Sequence, residues 1–158
     1  MCADWHRLLT PGAALAAFAS FGAAQGAPSP ADIVKAVREY RVAHEQPIIQ
    51  ELVDLLAIPN IASDEPDIRR NADRLRVMLE RRGFGVRFFE VPKRGPIIFG
   101  DLSAPGAART VVFYAHYDGQ PTDPKAWTGT SPFEPGLRTN SIEAGGALRP
   151  FPGAGTPY

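Results

Sequence analysis

The sequence predicts an α/β layer structure, and three observations carry that prediction. Two stretches of helical period come first, at residues 30–56 and 64–83. Short runs rich in strand formers follow at residues 86–91 and 96–102. A last run, residues 110–115, is unbroken and apolar, as in a strand covered on both faces. A chain of 158 residues is ordinarily one domain, and its 44% hydrophobic content is enough to build a core.

The chain opens on an Ala-rich apolar run, residues 8–24, with Arg7 before it and Ala24-Gln25-Gly26-Ala27 after it. Such a run reads as a secretory signal peptide over residues 1–26, leaving 27–158 as the mature part. The alternative is an N-terminal membrane anchor. Pro11 interrupts the run, and its Ala and Gly make it weakly hydrophobic for a span of roughly 20 apolar residues. Export then predicts a periplasmic or secreted protein.

Ser29-Pro30-Ala31-Asp32 combines a capping hydroxyl, a proline at the first helical position and an acid in the first turn. Ile33, Val34, Val37, Arg41 and His44 trace one side of the helix that follows. After Pro47, where a kink or break is expected, Ile48, Ile49, Leu52, Val53, Leu55 and Leu56 continue the period until Pro59. A further helix starts near Asp64, Glu65 and Asp67, carries Ile68, Ala72, Leu75 and Leu79 along one face, and stops at Arg81-Arg82-Gly83. From Gln120 onward the sequence is dense in Gly and Pro and shows no sustained period. A compact domain rarely finishes on so long a loop, so the chain is expected to be cut short of its natural end.

Charge and cysteine content narrow the function classes. The 17 basic and 17 acidic side chains leave no excess to hold a nucleic-acid backbone or an anionic membrane surface. The one cysteine, Cys2, lies in the leader, so the mature part has no internal disulfide and no thiolate ligand. A metal site would have to use His and carboxylates.

His116 follows directly on the apolar run, at the carboxyl end of the expected strand, where open α/β sheets place their ligand sites. Asp118 is two residues on, and an extended backbone through Tyr117 would aim both side chains to one side. One imidazole nitrogen could then bind a metal while the other donates to the Asp118 carboxylate. The tripeptide alone is a weak pattern, more often a capped strand end with a solvent-facing His and an Asp-Gly turn.

The longer segment from Val112 to Pro121, with His116-Tyr117-Asp118 at its centre, is followed by Trp127 and Ser131-Pro132-Phe133. It resembles the co-catalytic dizinc metallopeptidases, which include carnosinases, glutamate carboxypeptidases, aminoacylases and succinyl-diaminopimelate desuccinylase. Upstream, Leu52-Val53-Asp54-Leu55-Leu56-Ala57-Ile58-Pro59 is similar to the opening helix and Ile-Pro turn of that family, and the helix around 71–82 with Gly83-Phe84 follows in order. The resemblance covers roughly residues 48–133.

The resemblance implies the N-terminal part of a three-layer zinc-exopeptidase-like domain with a mixed central sheet. It implies His116 as a ligand to one of two zinc ions, with cobalt or manganese as alternatives, and Asp118 as the carboxylate that orients it. The complete protein would hydrolyse an amide bond in a small peptide or N-acyl amino acid. A lid or dimerisation domain is common in the family, which allows a homodimer. The family's bridging Asp, its general-base Glu and its other ligands match nothing here, so this chain alone is expected to be inactive. Asp123, Glu134 and Glu143 fall in the Gly/Pro-rich stretch and read as loop residues, His44 as a helix residue and His6 as part of the leader. A different class stays open: an exported non-catalytic binding module whose Phe113, Tyr114, Tyr117 and Trp127 line a recognition surface.

Overall fold

The computed structural model describes residues 28–153 together with Thr156 and Tyr158. The expected signal peptide lies outside the described residues. Among these, no helix is long and apolar enough to cross a membrane.

Helix α1, Pro30–Ala43, begins at the expected cap. Ser29 Oγ accepts from the Asp32 amide at 3.2 Å, and the Asp32 carboxylate accepts in return from the Ser29 amide at 3.2 Å. The break before α2, Glu45–Leu56, falls at His44 instead of Pro47. The His44 amide still reaches Tyr40 O at 3.0 Å, and its ring stacks on Tyr40 with centroids 4.0 Å apart. Pro47 sits in the first turn of α2, where its missing N–H breaks no helical bond. Helix α3, Glu65–Glu80, is capped by Asp64, whose carboxylate accepts from the Asp67 amide at 3.2 Å. Gly83 stands just beyond its end with φ +86°, the left-handed conformation that glycine adopts without a Cβ clash.

Strands β1, Gly85–Phe89, and β2, Ile97–Asp101, form an antiparallel hairpin in which Phe88 opposes Ile98 and Val86 opposes Gly100. Period-two alternation turns Val86, Phe88 and Ile98 toward α3 and exposes their neighbours. Arg69 and Arg76 of α3 lie over the Phe88 ring at 5.7 and 5.4 Å. Ile68 and Ala72, on the inner side of α3, are the core. Asn71 is buried beside them, and its amide donates to Pro59 O at 2.6 Å and Asp67 O at 3.0 Å. The outer face of the hairpin is also apolar, with Phe89, Ile97 and Phe99 exposed.

The mixed α/β character expected from the sequence is present, but the mixed central sheet is not formed among the described residues. The sheets there are two antiparallel pairs, β1 with β2 and the short β3, Leu137–Arg138, with β4, Leu148–Arg149. The expected strand at 110–115 is not one. Its residues pair with nothing in a ladder, and Val111, Val112, Phe113 and Tyr114 are 73–92% exposed. A strand is completed by its neighbour's hydrogen bonds, and no described segment runs alongside this one. The hairpin β3–β4 was not foreseen in the Gly/Pro-rich stretch. Arg138 holds its loop by donating to Gly146 O at 2.9 Å, and Gly145 supplies a turn at φ +73°.

Candidate functional site

Beyond the uncovered run, the chain is recaptured at the motif. The Gly119 amide donates to Asn60 O at 2.7 Å, and the Ala62 amide donates to Gly119 O at 2.9 Å. These bonds make a parallel bridge between Ile61 and Gly119, next to the turn that ends α2. Asn60 adds a side-chain bond, Nδ2 donating to Tyr117 O at 3.2 Å. On the other side of the motif the Tyr117 hydroxyl donates to Pro96 O at 2.5 Å, in the turn between β1 and β2. Burial and the nearby Asp118 charge push this phenol above its ordinary range.

Fixed in this way, the backbone alternates as expected. Tyr117 turns inward, while His116 and Asp118 both face outward. His116 Nδ1 lies 3.2 Å from Asp118 Oδ1. A carboxylate only accepts, so in a neutral ring Nδ1 carries the proton and Nε2 keeps its lone pair. That lone pair faces the Tyr114 hydroxyl at 3.3 Å, with the two rings edge to face. The pair opens on a cleft of ≈ 1360 Å³, whose wall also includes Trp127, Phe133, Arg94 and Ile97.

Of the other chemistry-bearing residues Glu134 also lines this cleft, and each has a local role of its own. Asp123 accepts from the Lys125 amide at 3.0 Å and starts a 3-10 turn at Pro124–Ala126. Glu134 accepts from the Ser131 amide at 3.1 Å. Glu143 is solvent-exposed, and its carboxyl lies below the usual range because its own backbone N–H and the Ser141 hydroxyl donate to it. His44 belongs to the α1–α2 junction, where Nδ1 donates to Tyr40 O at 2.8 Å. Sequence reasoning missed Asn60, which holds both the Tyr117 carbonyl and the Gly119 amide. The Ile58-Pro59-Asn60 turn was visible, but nothing local marks its partner 57 residues on.

Zinc held by protein normally takes three or four protein ligands. Among the described residues no three His, Cys, Asp or Glu side chains stand together in a metal-binding group. The donor set here is one imidazole with its carboxylate, which does not by itself fit a zinc ion. Comparison with family models, curated proteins and solved structures gave no match for this chain.

Proposed function

We propose that this chain is the N-terminal part of an exported metal-dependent hydrolase that cleaves amide bonds in small peptides or N-acyl amino acids. Zinc is the metal we assign, as two ions, with cobalt or manganese as alternatives. The observation that carries the reading is the His116–Asp118 pair: Nδ1 bound to a carboxylate at 3.2 Å and Nε2 left with its lone pair. This is the arrangement in which a histidine is prepared to ligate a metal, the carboxylate fixing the tautomer and raising the basicity of the other nitrogen. The motif-level resemblance to the dizinc metallopeptidases supplies the reaction class. The remaining ligands and the general base would come from residues outside this chain, within a three-layer domain with a mixed central sheet.

Exposure of the apolar run supports this reading over a binding module. A recognition strand shows one face and buries the other. Here Val111, Val112, Phe113 and Tyr114 are all exposed, successive residues on opposite faces alike. The outer face of the β1–β2 hairpin, with Phe89, Ile97 and Phe99, is bare as well. An apolar run of this kind fits a strand of a sheet covered on both sides.

The test uses the protein at its natural length. Replacing His116 by Ala removes a metal bond, so zinc content falls and hydrolysis of dipeptides and N-acyl amino acids is abolished. Asp118→Ala leaves the ligand but frees its ring, at a loss on the order of 10 to 100-fold in metal affinity or activity. The double variant is no worse than His116→Ala, because the carboxylate then has no ring to orient. A His116→Ala protein with full zinc and an unchanged rate overturns the assignment. Chelator-sensitive turnover by the purified 158-residue chain alone would show instead that the remaining ligands lie within it.

A further inference from the structure

Asn60 lies at the meeting of three segments, and its bonds are all directed at the motif. Its carbonyl accepts from the Gly119 amide at 2.7 Å and its Nδ2 donates to Tyr117 O at 3.2 Å, so it grips the backbone on both sides of Asp118. Its own position is set from below. The buried Asn71 of α3 donates to the Pro59 carbonyl at 2.6 Å, immediately before Asn60. The chain from the core to the site therefore runs α3, Asn71, Pro59-Asn60, Tyr117 and Gly119.

Gly119 is what lets Asn60 in. A Cβ at that position would lie 2.9 Å from Asn60 Oδ1 and 3.3 Å from its Cγ. The backbone of Gly119 has no left-handed φ, so what glycine supplies there is space, and a side chain would have to push the Asn60 amide aside. The Asn60 side chain occupies the room that the missing Cβ leaves.

We infer that Asn60, seated against Gly119, is the positioning residue that holds His116 and Asp118 in their paired geometry. Asn60 touches neither side chain and acts through the Tyr117–Gly119 backbone. The inference rests on the proposed role of His116 for its functional meaning, but not for its test. An amide is needed because the Tyr117 carbonyl needs a donor. Aspartate, of the same shape, has none at neutral pH and would set a second negative charge near Asp118.

The experiment reads the ring nitrogens of His116 by 15N NMR in metal-free protein, with His116→Ala used to assign its signals. Wild type shows the Nδ1-protonated tautomer. Asn60→Ala and Asn60→Asp both lose that bias and give the tautomer mixture of a free imidazole. Gly119→Ala does the same, by displacing Asn60. In the Asn60→Ala background Gly119→Ala adds little, since its Cβ has nothing left to strike. Asn60→Asp keeps the side-chain shape, and circular dichroism checks that each variant is folded.

A wild-type His116 tautomer in folded Asn60→Ala or Asn60→Asp overturns the inference. A Gly119→Ala effect of the same size with and without Asn60 also overturns it. Zinc content is measured separately in the natural-length protein. Normal zinc in His116→Ala would remove the proposed function and leave the positioning role standing. Zinc loss in His116→Ala with a ring indifferent to Asn60 would do the reverse.

Discussion

Gly95 sits in the β1–β2 turn where a side chain has no room. A Cβ there would lie 2.0 Å from Ile68 Cγ2 and 2.8 Å from the Tyr117 hydroxyl. Ile68 is 2% exposed and its branched side chain has few rotamers to escape into, so the turn would have to move. Gly95→Ala should destabilise by about 1–3 kcal/mol, as overpacked cores do. For a chain of this size that lowers Tm by about 3 °C per kcal/mol. Thermal unfolding followed by circular dichroism checks it, and an unchanged Tm would mean that the turn is not seated on Ile68. The same turn carries Pro96 O, the acceptor of the Tyr117 hydroxyl, so a local displacement there is felt at the motif. At this scale the site was half legible in the sequence. His116 and Asp118 could be paired from their spacing alone, because period two is a property of any extended backbone. Asn60 and Gly95 could not be found that way, since both act on partners that only the fold brings near.

Helices α2 and α3 are tied by charge. Arg82, just past α3, donates through Nη1 to Glu51 Oε1 of α2 at 3.2 Å and through Nη2 to Oε2. Arg74 and Asp54 form a second link at 3.4 Å. The hydrogen bond from Arg82 holds the Glu51 carboxyl below its ordinary value of 4.5. A lowered folded value means that the unfolded chain takes up the proton first. The stabilisation is therefore complete above the ordinary value of 4.5 and is lost as pH falls through the lowered one. Glu51→Gln should cost less than about 1 kcal/mol at neutral pH, since the pair is partly exposed. That gap should close on acidification, which urea unfolding at a series of pH values will show. A gap that stays constant into acid would assign the loss to packing instead. Element boundaries were largely legible for the same reason that these helices are well defined. Ser29, Pro30, Asp64 and Gly83 act on groups within a turn of themselves, so their chemistry can be read locally. The run at 110–115 has strand composition, yet composition does not supply the neighbour that makes a strand. Its pairing is a non-local property that no window of residues contains.

Among the described residues, the buried apolar side chains gather around α3 and much apolar surface is left bare. Val112 and Phe113 are 84% and 92% exposed, and Phe89, Ile97 and Phe99 add to the uncovered area. Exposed apolar surface of this kind favours association. The purified chain should bind a hydrophobic dye and self-associate with rising concentration. Val112→Lys with Phe113→Lys should reduce both, and light scattering and dye fluorescence measure the change. A wild-type chain that stays monomeric and dye-silent would show that the run finds cover within the molecule. The Ile61–Gly119 bridge has a further consequence, in the order of events during folding. The β1–β2 hairpin closes over a short turn, whereas this bridge must gather a loop on the order of 60 residues, an entropic difference of about 2 kcal/mol. Helices and hairpin can therefore assemble while the His116 segment is still free. The motif then locks after the hairpin and opens before it, its amides exchanging with solvent sooner than those of the hairpin beside it.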